Sequence, residues 1–115
     1  MSQISVQESE VCESTAGYHG RYLLVDLSEL SSTVRPLSET VLRRFIGGTG
    51  LGAYLLSQED YAEVDPLDAR AAIAFVFSPL VGSPVTTSAK FAVVAKSPLT
   101  QRLNDSMSSS RFAIA

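Results

Sequence analysis

Lys90 stands at the head of an apolar run, directly behind the hydroxyl-rich stretch Ser83-Pro84-Val85-Thr86-Thr87-Ser88-Ala89. A cation placed there could hold a phosphate; the alternative is a solvated lysine at a strand end. Further along, Asn104-Asp105-Ser106-Met107-Ser108-Ser109-Ser110 offers hydroxyls and small residues whose backbone amides could cradle an anion. Its alternative is an ordinary flexible loop. A third stretch, Gly47-Gly48-Thr49-Gly50-Leu51-Gly52-Ala53, contains the letters of a dinucleotide fingerprint. That fingerprint works only when a strand precedes the glycines, so that a pyrophosphate meets the start of the following helix. The segment before these glycines is patterned as a helix, which favours a joint between two helices, with glycine supplying positive φ and close packing. Amides freed after Gly50 and facing an anion remain a further option.

Other reactive residue types lack partners at useful spacing. Cys12 is the single cysteine, in an acidic and polar leader, so the chain has no internal disulfide and falls short of the four thiolates an iron–sulfur cluster uses. His19 has no companion pattern. Asp26 and Asp68 read as turn residues, and no nucleophile elbow or triad order is visible. No residue is assigned as catalytic or as a metal ligand.

The elements that must position these residues follow from the pattern. Arg21–Asp26 reads as a strand, Ser28–Ser32 as a polar turn and Thr33–Arg35 as a returning antiparallel strand before Pro36. Ser38 is a good N-cap, with Glu39 in the first turn, Val41, Leu42, Phe45 and Ile46 on one side, and Arg43 and Arg44 near the end. Gly47-Gly48 stops that helix, and a second runs from about Leu51 to Ser57. Asp60–Arg70 is a polar connector. Ala71–Phe77 shows no alternation, as expected of a strand covered on both faces. Ser78–Pro84 is a turn-rich loop, and Phe91–Ala95 is another apolar strand bounded by Ser97-Pro98.

Composition sets the class. The chain has 115 residues, 45% hydrophobic and 18% charged, which fits a packed unit with much surface turned toward other protein. A net charge of −3 and scattered Lys and Arg give no basic footprint, so nucleic acid is not expected as a partner. The longest apolar run, Ala71–Phe77, is far below the ~20 residues of a membrane span, and Glu8, Glu10 and Glu13 occupy the place of a signal peptide's basic and apolar regions. A cytoplasmic location without membrane attachment is the expectation.

Taken in order, five blocks resemble the N-terminal domain of the aldehyde ferredoxin oxidoreductase family. They are Gly20–Leu27, Leu42–Gly52, Val64–Leu67, Phe77–Pro84, and Lys90–Val94 followed by Lys96–Thr100. The resemblance covers residues 18–115. It implies an α+β fold, a mostly β base with two short helices, on which a bis-pterin tungsten (or molybdenum) cofactor lies. It further implies that other domains supply a [4Fe–4S] cluster and a substrate pocket, and that aldehydes are oxidised to carboxylic acids with ferredoxin as electron acceptor. In that family metal and pterin carry the chemistry, and protein supplies position and electrostatics.

Carried over position by position, Lys90 falls where an arginine usually meets the pterin phosphate region; lysine keeps the charge and loses the bidentate fork. Ser108-Ser109-Ser110 falls on a Ser-Gly-Gly segment that approaches the cofactor through its backbone. Met107 takes the place of an asparagine beside a bridging magnesium, serving through its carbonyl or not at all. Thr49 replaces a frequent arginine. Lys90, Met107, Ser108, Ser109 and Ser110 are thus the candidate cofactor-binding residues. The expectation is a polar, disordered leader at 1–18 and a partial domain at 19–115 that depends on a missing C-terminal portion or a separate subunit and is inactive alone. The competing expectation is a non-catalytic α+β module that binds a partner subunit or a phosphate-bearing ligand.

Overall fold

The structure is a computed structural model that describes residues 6–7 (backbone pairing), 17–58 and 61–113. Cys12 and most of the leader lie outside these residues. The chain divides into two compact units, Met1–Arg44 and Phe45–Ala115.

In the first unit, β1 (Val6–Gln7) pairs in parallel with β3 (Ser31–Pro36), and β3 pairs antiparallel with β2 (Arg21–Asp26). The hairpin is tighter than the sequence suggests, because Asp26 organises its turn. Its carboxylate accepts the amides of Ser28 at 2.9 Å and Glu29 at 3.2 Å, and Leu30 turns through φ 52°. Asp26 therefore faces Ser31, and β3 starts two residues ahead of Thr33. Helix α1 (Glu39–Phe45) begins where expected: Ser38 Oγ accepts the Val41 amide at 3.3 Å, and an exposed Arg43–Glu39 pair spans one turn. It ends at Phe45. Ile46, exposed and at φ 64°, is the left-handed residue that terminates it.

The second unit is a three-stranded antiparallel sheet with one helix on it. Helix α2 (Gly48–Gln58) is followed by β4 (Ile73–Phe77), β5 (Lys90–Lys96) and β6 (Leu103–Ser109), in spatial order β4-β5-β6. Leu51, Gly52 and Leu56 of α2 are buried, and Leu56, Ala92 and Val94 form the core with Ala72 and Ala74 packed against it. The period-2 pleat puts Ala74, Val76, Ala92 and Val94 on the helix side.

Two expectations need correction here. The run at 71–77 is not covered on both faces: Ile73, Phe75 and Phe77 point away from α2 and are 57%, 53% and 39% exposed. Small residues at Ala72 and Ala74 hide the alternation in the sequence, since they are the side chains that fit beneath the helix. The second correction concerns the serine-rich stretch. It is neither a flexible loop nor a cradle but strand β6, paired along its whole length with β5 from Lys96↔Leu103 to Lys90↔Ser109. A turn explains this. Ser97 accepts the Leu99 and Thr100 amides through Oγ at 3.2 and 3.3 Å, Gln101 adopts φ 59°, and Ser97 N donates to Arg102 O at 2.8 Å. That turn sets the register, and backbone pairing then holds a strand whose residues are all exposed.

Candidate functional site

The glycine joint acts through space and backbone angle. Gly48 takes φ 61° at the start of α2, a conformation that favours glycine. A Cβ at Gly47 would lie 2.8 Å from the Phe77 carbonyl oxygen, and one at Gly52 would lie 2.7 Å from Val94 Cγ2. These glycines let the helix approach β4 and β5 closely. A helix precedes them and the sheet is antiparallel, so the dinucleotide reading is excluded. The anion at the start of α2 is internal to the chain: Thr49 Oγ1 donates to Asp105 Oδ2 at 3.0 Å. Asp105 lies 56 residues from Thr49, and nothing in the local sequence signals the pair.

The second locus is the free edge of β6. Antiparallel ladders alternate between pairs that exchange both backbone hydrogen bonds and pairs that exchange none. Ser97 N bonds Arg102 O, and Ser110 N bonds Ala89 O at 3.2 Å. Counting inward by twos from either end, Asn104, Ser106 and Ser108 spend their backbone groups on β5. Leu103, Asp105, Met107 and Ser109 turn theirs outward, and β6 is the outer strand of its sheet among the described residues. The same parity places the side chains of Met107 and Ser109 on the helix side of the sheet, with Lys90.

Lys90 and Ser109 are a direct cross-strand pair of the closer, non-bonded kind, about 4.5 Å between Cα atoms. Lys90 is exposed. The locus thus offers an ammonium, a hydroxyl and two outward N–H donors, a set suited to a phosphate-bearing ligand. Met107 contributes no hard ligand through its thioether, but its outward carbonyl is the kind of oxygen that magnesium takes.

The five candidate residues do not act as one cluster. Lys90, Met107 and Ser109 share a face and an edge. Ser108 projects from the opposite face beside Phe91, where Phe77, Phe91 and Phe112 contact one another with ring centroids 5.3 to 6.2 Å apart. Ser110 is committed to a 3₁₀ turn at Arg111–Ala113: its Oγ accepts the Phe112 amide at 3.2 Å, and its carbonyl accepts Ala113 N at 3.2 Å. Positive φ among described non-glycine residues occurs at Leu30, Ile46, Thr87 and Gln101, and not at 108–110, so serine fits this backbone without strain. Among the described residues no group of three or more His, Cys, Asp or Glu gathers, and no helix is long and apolar enough to cross a membrane.

The family model described as aldehyde ferredoxin oxidoreductase, N-terminal domain, matches residues 22–115. The tungsten-containing aldehyde ferredoxin oxidoreductase of Pyrococcus furiosus is 36% identical over 84 residues, 73% of this chain and 14% of the relative. Its Pyrococcus horikoshii counterpart is 32% identical over the same shares. An aliphatic sulfonate oxidoreductase, WOR-like subunit, from Pyrococcus furiosus is 35% identical over 100 residues, 84% of this chain and 16% of the relative. The matched part of the chain thus corresponds to about one-seventh of these curated relatives.

Proposed function

The chain belongs to the aldehyde ferredoxin oxidoreductase family, as its N-terminal domain, and from that premise we propose that it forms the cofactor-side base of a tungsten- or molybdenum-pterin oxidoreductase. The reaction proposed is oxidation of an aldehyde to a carboxylic acid, with electrons passing through a [4Fe–4S] cluster to ferredoxin. When bound, the metal–pterin group supplies the two-electron redox chemistry. The residues of this chain bind and orient. Lys90 places a positive charge beside Ser109, the outward amides of Met107 and Ser109 donate to phosphate oxygens, and the Met107 carbonyl is the available oxygen for a bridging magnesium. Cysteines for the cluster and walls for the substrate come from further polypeptide, either a continuation or a separate subunit. The apolar face of Ile73, Phe75 and Phe77 supports such a neighbour. On this reading residues 19–115 bind no aldehyde and turn nothing over alone.

The observation that carries the proposal is the Lys90–Ser109 pair beside two outward amides on the free edge of β6. The test is cofactor content of the complete enzyme carrying Lys90→Met or Lys90→Arg, measured as tungsten, molybdenum and released pterin per protein. Lys90→Met is expected to lower all three several-fold and Lys90→Arg to retain them. Wild-type content in Lys90→Met would remove Lys90 from the site. Aldehyde-dependent reduction of ferredoxin by the wild-type enzyme checks the reaction class separately.

A further inference from the structure

Lys96 closes β5 at the end opposite Lys90, about 20 Å away along the strand. Its ammonium is partly buried and donates to two backbone carbonyls of the connector before β4, Ala62 O at 2.8 Å and Val64 O at 3.2 Å. Both acceptors are neutral, and among the described residues no carboxylate pairs with it. An ammonium has three N–H donors, and the carbonyls take two. A partly shielded cation with a spare donor and no counter-charge is costly to maintain, and an anion relieves that cost.

The same ammonium lines a cleft of about 190 Å³. Its other walls are apolar, among them Leu56, Tyr61, Pro66, Ala72 and Leu103. A cavity of about 150 Å³ lined by apolar side chains suffices for benzene, so this one takes a body of roughly six carbons. One charged donor on an apolar wall selects for a molecule with a single anionic head and an apolar tail. We propose that this cleft binds a small monocarboxylate, its carboxylate on Lys96 Nζ and its hydrocarbon body against Leu56 and Tyr61. Inorganic anions have the charge without the body, and the matching amides have the body without the charge. The site is separate from the β6 edge and does not rest on the redox reading.

Calorimetric titration of the complete protein with sodium hexanoate, hexanamide and sodium acetate tests this, with the Leu56, Val64 and Leu103 methyl resonances reporting the location. Hexanoate is expected to bind and to shift those methyls, with hexanamide and acetate each about tenfold weaker or worse. Lys96→Met is expected to bind hexanoate no better than hexanamide. If that variant does not fold, the three ligands on the unaltered protein decide. Equal binding of hexanoate and hexanamide, methyl shifts elsewhere, or no heat at roughly 10 mM hexanoate would each overturn the proposal.

Discussion

Gly50 and Gly52 lie two residues apart in α2, and replacing each with alanine is expected to change stability in opposite directions. A methyl at Gly52 would stand 2.7 Å from Val94 Cγ2, 3.1 Å from Val94 Cβ and 3.2 Å from Val76 Cγ2. Val94 is 1% exposed and cannot swing aside into solvent. Alanine gains about 0.5–1 kcal/mol over glycine within a helix, while overpacking of this kind costs about 1–3 kcal/mol. With Val94 held on all sides the cost dominates, and Gly52→Ala is expected to destabilise by about 1–2 kcal/mol, or roughly 5–15 °C in Tm for a unit of this size. At Gly50 the methyl meets only the Phe45 carbonyl at 3.4 Å, an ordinary contact. Gly50→Ala therefore keeps most of the helix gain and is expected to stabilise by up to about 1 kcal/mol. Urea denaturation of both variants measures the difference. Val94→Ala supplies the control, since Gly52→Ala in that background should lose its penalty and show a coupling of about 1 kcal/mol or more. A Gly52→Ala protein as stable as wild type would refute the close approach of α2 to β5.

Ile46 is a β-branched residue held at φ 64° while 61% exposed, so glycine there should relieve backbone strain at little cost in burial. Ile46→Gly is expected to stabilise by about 1 kcal/mol in thermal or urea melts. The connector carries an acid-sensitive pair: the Arg70 guanidinium, hydrogen-bonded to Asp68 at 3.1 Å, holds that carboxyl below its ordinary 3.8, and Asp68 in turn raises Arg70. A lowered folded value means that the stabilisation is fully present above pH 3.8 and is lost as pH falls through the lowered value. Carboxyl-carbon NMR titration should show Asp68 moving back up toward 3.8 in Arg70→Gln, and high salt should shrink the difference.

Local chemistry in the sequence determined much of this protein. Ser38 capping a helix that opens on Glu39, the strand at Arg21–Asp26, the apolar strand between Lys90 and Lys96, and glycines that join two helices are all short-range effects. The hydrogen bonds or steric demands involved lie within a few residues. The α+β class and the family follow from the same stretches. Tertiary structure decided what depends on distant neighbours. Serine, asparagine and aspartate have weak strand preference, so β6 exists because the Ser97–Gln101 turn presents it to β5. Which of its amides face outward is a matter of ladder parity, and this brings Met107 and Ser109 to the edge with Lys90 while sending Ser108 to the aromatic face. The one-sided burial of β4 depends on α2 resting on Ala74 and Val76. The Thr49–Asp105 bond and the Lys96 cleft likewise join residues far apart in the chain. Their partners are chosen by register and packing, which no local window of sequence contains.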